Sequence, residues 1–194
     1  MRIISGKARG TKIGTISELT TRPTLDRVKE PLFSIIQNNL DEANVLDLFA
    51  GSGALGIEAL SRGAKYSVFC DINLECTKII NDNLIKTKLK NLSQIYNMDY
   101  KKAIDKLSKQ EMKFDIIFID PPYKLDIAAN SVKLIIQNNL LNKDGIIIIE
   151  TDEEKRDLEE IQELNNMNIE NLQKIMVVDK RKYGRANLIF LRVI

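Results

Sequence analysis

Short apolar runs alternate with amphipathic stretches of helical period along most of this chain, and few folds accommodate that order. Asn44 to Phe49, Tyr66 to Asp71, Phe114 to Asp120 and Gly145 to Thr151 are dense in apolar residues, with a weaker run at Ser93 to Asn97. Between them, Ala54 to Arg62, Asn73 to Lys86, Tyr100 to Lys109 and Ile127 to Asn138 carry apolar side chains at three- and four-residue spacing. Strands apolar on both faces must be covered on both faces, so the pattern predicts an α/β fold with a parallel sheet between two layers of helices. A further helix, about Glu153 to Leu164, leads to two last strands near Leu172 to Lys182 and Ala186 to Val193. Tyr183-Gly184-Arg185 is too short for a parallel crossover, so this pair is an antiparallel hairpin. At 194 residues the chain can bury a core that needs no disulfide or metal.

Ahead of the first core strand lie about forty residues of different character. Met1 to Ile4 and Thr11 to Ile16 predict a small hairpin around Gly6 to Gly10, followed by the extended Arg22-Pro23 and a helix from about Thr24 to Leu40. Pro31 inside that helix costs about 3 kcal/mol unless the helix starts there or kinks. Residues 1 to 40 are therefore expected to form an appendage and residues 41 to 194 the main domain. Charge follows the same division. Residues 1 to 30 carry a net +4 and residues 174 to 192 a net +5, which leaves −7 on the rest of a chain whose total is +2. If the two basic ends meet, they make one patch suited to a polyanion; solvated Lys-rich edges are the alternative.

The chain holds no His and two Cys, Cys70 and Cys76. Imidazole acid–base catalysis, Ser-His-Asp or Cys-His nucleophiles and His-ligated zinc are excluded within this chain, and no metal is expected. The paucity of Cys, with no long apolar run and no apolar leader, leads us to expect a cytoplasmic protein away from membranes.

Val45-Leu46-Asp47-Leu48-Phe49-Ala50-Gly51-Ser52-Gly53-Ala54-Leu55-Gly56 ends a strand and opens a helix. Gly51, Gly53 and Gly56 have the G-x-G-x-x-G spacing, and Asp71 lies twenty residues beyond Gly51, as a dinucleotide site requires. By spacing alone NAD is a candidate, and a glycine turn serving only strand–helix packing is another. Asp47 argues against a pyrophosphate, because its carboxylate shares the crevice at the strand's carboxyl end. S-adenosylmethionine has no phosphate and offers an ammonium and a sulfonium, which Asp47 attracts while Asp71 holds the ribose. Asp99, after the third strand, is placed to accept from the adenine amino group, with Ile72 or Met98 against the ring. Ordinary core packing for Ile72 and Met98, and helix capping by Asp99, are the competing readings.

The fourth strand runs directly into Asp120-Pro121-Pro122-Tyr123. Two prolines fix φ and lack N–H groups, so carbonyls there face no competing local donor. With the Asp120 side chain they can accept hydrogen bonds from an exocyclic amine, and Tyr123 offers a flat face for a base, a stacking worth roughly 1 to 3 kcal/mol. Drawing the amine's protons toward these acceptors exposes a lone pair otherwise delocalised into the ring. With an activated methyl donor, positioning and electrostatics supply most of the rate.

These motifs resemble class I S-adenosylmethionine-dependent methyltransferases acting on an amino group. More narrowly, Arg2-Ile3-Ile4-Ser5-Gly6 with Arg9-Gly10, Arg22-Pro23-Thr24-Leu25-Asp26-Arg27-Val28 and Tyr183-Gly184 resemble the bacterial small-subunit rRNA guanine-N2 methyltransferase family, whose target is guanine 966 of 16S rRNA. The resemblance spans essentially the whole chain. It implies a Rossmann-like, seven-stranded, mostly parallel sheet with its last strand antiparallel, helices on both faces and a small N-terminal hairpin and helix. It implies Asp47, Gly51, Gly53, Asp71 and Asp99 as cofactor contacts, to which the loop residues Phe49, Ala50 and Ser52 and the ring-packing Ile72 and Met98 are added as expected contacts, and Asp120, Pro121, Pro122 and Tyr123 as the target-base site. Arg22 to Arg27 would correspond to a segment that closes over the cofactor and faces RNA. With the charge division, Arg2, Lys7, Arg9, Lys12, Arg22, Arg27, Lys182 and Arg185 are the expected RNA contacts, with 16S rRNA or a small-subunit assembly intermediate as partner and S-adenosylhomocysteine as product, and a monomer is expected. Two residues depart from the family pattern: Ser5 stands where a glycine is usual, and Pro31 where Ala is common. An adenine-N6 methyltransferase on DNA or RNA, a nicotinamide-dependent oxidoreductase and a non-catalytic RNA binder are the alternatives.

Overall fold

The structure, a computed structural model, describes residues 1–15, 24–122, 127–167 and 173–194, with the backbone alone given for 24–27. Among the described residues the strands are β1 (Asn44–Asp47), β2 (Tyr66–Asp71), β3 (Ser93–Asn97), β4 (Phe114–Ile119), β5 (Leu141–Thr151), β6 (Ile175–Tyr183) and β7 (Ala186–Val193). They form a seven-stranded sheet in the order β3-β2-β1-β4-β5-β7-β6, parallel except that β7 opposes both of its neighbours. The helices are α1 (Thr24–Ile35), α2 (Ala54–Ser61), α3 (Leu74–Lys86), α4 (Tyr100–Lys109), α5 (Ala128–Gln137) and α6 (Glu154–Asn166).

Period-two alternation divides the sheet between two cores. Ile116 and Phe118 of β4, with Ile146 and Ile148 of β5, pack on the face covered by α1, α2 and α3. Ile117 and Ile119, with Ile147 and Ile149, pack on the face covered by α4, α5 and α6. Both sets are buried, as the continuous Ile-rich runs require. The chain winds from β1 outward to β3 and then returns to β4 on β1's other side, so a crevice opens at the carboxyl ends of β1 and β4.

Several boundaries differ from expectation for identifiable reasons. β5 begins at Leu141, four residues before Gly145, because Leu141 pairs with Phe114 before the polar Asn142-Lys143-Asp144 interrupts the register and Ile146 resumes it opposite Ile116. The first helix ends at Ile35 rather than near Leu40; it runs through Pro31, and Gln37–Asn39 follow as a separate 3-10 turn. Among the described residues, which include the hairpin's second arm only to Thr15, the N-terminal hairpin is reduced to a single antiparallel bridge, Arg2 with Lys12, flanked by Ile3 N–H donating to the Thr11 carbonyl at 3.0 Å. Its ladder stops where Ile4 N–H and Ser5 N–H turn to Glu58 instead, at 2.8 and 3.0 Å.

That carboxylate anchors the N-terminal residues to the sheet's helical layer. Glu58 and Lys29 have no exposed side-chain area and lie 3.1 Å apart, Arg62 donates to Glu58 at 2.8 Å, and Lys29 also donates to the Arg2 carbonyl at 2.7 Å. Lys29 therefore does not belong to the exposed basic surface that charge counting assigns to residues 1 to 30. Nearby, Ser61 receives Ala8 N–H at 2.9 Å and donates to the Ser5 carbonyl at 2.5 Å. Gly6, at φ +80°, presses so closely on α2 that a β-carbon would lie 1.7 Å from the Ser61 carbonyl oxygen. Ile3, Ala8 and Ile13 enter the same core as α1 and α2. Removing the Glu58 carboxylate leaves Lys29 buried without its counter-charge; Glu58→Ala is expected to lower unfolding free energy by about 3 to 5 kcal/mol, measured by urea denaturation.

Candidate active site

The crevice is built from the ends of four parallel strands. β1 ends at Asp47, which is 3 % exposed and accepts the Gly56 N–H at 3.0 Å. The chain then rises through Phe49, Ala50, Gly51 and Ser52 into α2. Ala50 N–H donates to the Cys70 carbonyl at 2.9 Å, and Gly53 caps the helix at φ 77°. Gly51 also has positive φ, 54°, and a β-carbon there would meet nothing within 4 Å, so its surface faces open space. Gly56 serves packing instead: a β-carbon would lie 2.3 Å from the Phe69 ring.

Asp71, at the end of β2, closes the loop from the other side. One carboxylate oxygen accepts Gly51 N–H at 2.8 Å and the other accepts Asn73 N–H at 2.8 Å. Asn97 braces the β2 end by donating to the Asp71 and Ile72 carbonyls at 3.1 and 3.0 Å. Ile72 is 71 % exposed, an apolar side chain held at the rim rather than in the core. Met98 is partly buried against the core that α4 covers, and the Phe49 and Tyr100 rings meet at a tilt of 44° with centroids 5.4 Å apart. Asp99 caps α4, accepting Lys101 N–H at 2.9 Å, so the capping reading describes one of its oxygens.

β4 ends at Ile119, and Asp120, half-buried, follows with Pro121 buried and Pro122 exposed. Tyr123 lies outside the described residues, as does Arg22; of Arg27 only the backbone is described. Arg2, Lys7, Arg9 and Lys12 are exposed along the N-terminal segment, and Lys182 and Arg185 are exposed on the β6–β7 hairpin.

Three carboxylates share the crevice, and their mutual repulsion registers on the most buried one. Asp47 is raised from 3.8 to about 7, chiefly by burial, with further elevation from the charges of Asp120 and Asp71 and opposition from the Gly56 N–H. The Cys76 thiol is pushed up to about 12 by burial and by Asp71. Such a crevice repels a pyrophosphate and suits a cation, which would draw Asp47 back to its ionised form. An ammonium or sulfonium beside Gly51 would fit these carboxylate acceptors and this open surface.

Sequence reasoning missed Glu58, Asn83, Tyr100 and Asn130. Glu58 could have been found as the lone acid in the otherwise apolar Ala54 to Leu60. Asn83 is buried on α3 and bonds the Gly14 backbone and the Ser52 carbonyl. Asn130 donates to the Tyr100 hydroxyl at 2.8 Å, joining the starts of α4 and α5. No local pattern announces these pairings.

Sheet order, reversed β7, glycine loop and acidic crevice define a class I methyltransferase fold. The chain belongs to the family described as Conserved hypothetical protein 95, whose model matches residues 1–192. Among its relatives, ribosomal RNA small subunit methyltransferase D of Haemophilus influenzae is 36% identical over 157 residues, 80% of each chain. The protein of the same name from Escherichia coli is 33% identical over 154 residues, 79% of this chain and 76% of its own. Among solved structures, yhhF of Escherichia coli, assigned as a methyltransferase, superposes with a TM-score of 0.80 at 25% identity, covering all of this chain and 97% of its own. No helix among the described residues is long and apolar enough to cross a membrane.

The Asp47 elevation has a definite pH signature. Between 3.8 and about 7 the folded chain holds a proton that the unfolded chain has lost. The associated stability is fully present below the lower value, declines as pH rises, and is gone above the upper one. Asp47→Asn keeps an acceptor for Gly56 without the charge, so the stability of this variant relative to the parent chain should rise between pH 4 and pH 8 in urea unfolding.

Proposed function

We propose that the protein transfers a methyl group from S-adenosylmethionine to the exocyclic N2 of a guanine in 16S rRNA, guanine 966 by the family resemblance. The observation that carries this reading is the placement of Asp120-Pro121-Pro122 at the end of β4, beside the acidic crevice formed by Asp47 and Asp71. The names of the relatives support an rRNA substrate. We further propose a monomeric cytoplasmic enzyme in which residues 1 to 40 are an RNA-facing appendage to the domain 41 to 194.

When bound, S-adenosylmethionine supplies a methyl group already activated by a sulfonium leaving group. Asp47 and the loop from Phe49 to Gly53 would hold its cationic portion, Asp71 its ribose, and Ile72, Met98 and Asp99 its adenine. Asp120 and the carbonyls around Pro121 and Pro122 accept the N–H groups of the target amine, which localises its lone pair and takes up its developing positive charge. Tyr123 is assigned to stack on the base. A base in an rRNA loop is already unstacked, so no duplex opening is required. Arg2, Lys7, Arg9, Lys12, Arg22, Arg27, Lys182 and Arg185 are assigned to the RNA backbone.

Calorimetric titration should give binding of S-adenosylhomocysteine and none of NAD. Asp120→Ala should reduce methyl transfer on the order of 10²-fold or more while S-adenosylhomocysteine still binds; full activity would overturn the assigned base site. Mass spectrometry of 16S rRNA from a deletion strain should show one N2-methylguanine lost, whereas loss of an N6-methyladenine would favour the adenine reading. Joint charge reversal at Arg9 and Arg22 should weaken RNA binding and reduce its salt slope by about one per lost phosphate contact, read from filter binding between low and moderate salt.

A further inference from the structure

Asn83 sits between the two halves of the proposed machinery. This amide, 3 % exposed on α3, has both hydrogens and its oxygen committed to backbone. Its oxygen accepts Gly14 N–H at 2.7 Å, and its nitrogen donates to the Gly14 carbonyl at 3.0 Å and to the Ser52 carbonyl at 2.9 Å. Gly14 belongs to the segment that exposes Arg2, Lys7, Arg9 and Lys12. Ser52 stands between Gly51, whose N–H is held by Asp71, and Gly53, which caps α2. One buried side chain thus fastens the segment assigned to RNA to the loop assigned to the cofactor.

We infer that Asn83 is a positioning residue that couples RNA capture on the N-terminal segment to cofactor binding at the glycine loop. The inference rests on the functional reading above and adds an energetic link to it. If either backbone shifts away, the buried amide loses partners that water cannot readily replace. Whatever holds the N-terminal segment on α3 holds the amide in the orientation that donates to the Ser52 carbonyl, and the converse follows with equal magnitude because coupling between binding sites is reciprocal. Other polar side chains of the domain bind the segment, but among the described residues Asn83 alone is seen to bond both it and the loop between Gly51 and Gly53.

The test is equilibrium dialysis of radiolabelled S-adenosylhomocysteine against the full chain, with and without saturating small ribosomal subunits from a strain lacking the modification. Subunits should lower the Kd by about fivefold or more. Asn83→Asp keeps the acceptor for Gly14 N–H but loses both donations. It should bring the ratio of the two Kd values to within about twofold of one, whatever it does to each affinity alone. A role confined to stability would leave that ratio at the parent value, and such a result would overturn the inference. Hydrogen exchange of the unmutated chain supplies a readout independent of whether the variant folds: subunit binding should slow exchange at residues 51–56, and no slowing would also overturn it. If the parent chain binds both ligands with a ratio of one, the coupling fails while the functional reading stands. If it binds neither, the reading itself fails and the coupling with it.

Discussion

Glu58 is a carboxylate without exposed side-chain area, and the surrounding structure is arranged to satisfy it. Two backbone N–H groups, the Lys29 ammonium and the Arg62 guanidinium converge on its two oxygens. A buried charge with this many partners tolerates little displacement of any of them, because each loss exposes the remaining charge to a low-dielectric interior. The four partners come from different parts of the chain: the extended N-terminus, α1 and the end of α2. Since α2 also opens on Gly53, the helix that receives the N-terminal segment at its middle presents the glycine loop at its start. The basic segment and the cofactor crevice are therefore built on one rigid element.

The crevice works on the opposite principle. Asp47, Asp71 and Asp120 crowd negative charge at the strand ends, and Asp47 is held above its ordinary value first by its burial and further by the charges of Asp120 and Asp71. Two of the three are already held by backbone N–H groups, Asp47 by Gly56 and Asp71 by Gly51 and Asn73. Their geometry is thus set before any ligand arrives, which lowers the reorganisation that binding requires.

How much of this was legible follows from what kind of interaction specifies each part. Runs such as Phe114 to Ile119 declare buried strands because both faces are apolar, and the Gly51, Gly53 and Gly56 spacing declares its loop because backbone conformation and close packing leave glycine little substitute. The start of β5 was not legible, since Asn142 to Asp144 are polar and the strand resumes only after a register shift. Nor was the inward turn of Lys29, which in composition is one more cation. Glu58 and Asn83 make contacts with residues more than fifty positions away, and nothing in local periodicity encodes which buried polar group meets which distant backbone.

The reversed β7 has a consequence for how the molecule is made. It follows β6 in the chain yet lies between β5 and β6, with Ala186 to Leu191 all buried or nearly so. A growing polypeptide that has reached β6 has no neighbour on which to lay it, and the edge of β5 at Ile147 to Thr151 stays open until β7 emerges. Vectorial synthesis therefore delivers the sheet's closing element after its outer one. In the finished sheet β6 is the outer strand, and its exposed Lys180, Arg181 and Lys182 put charge along the edge that would otherwise invite association.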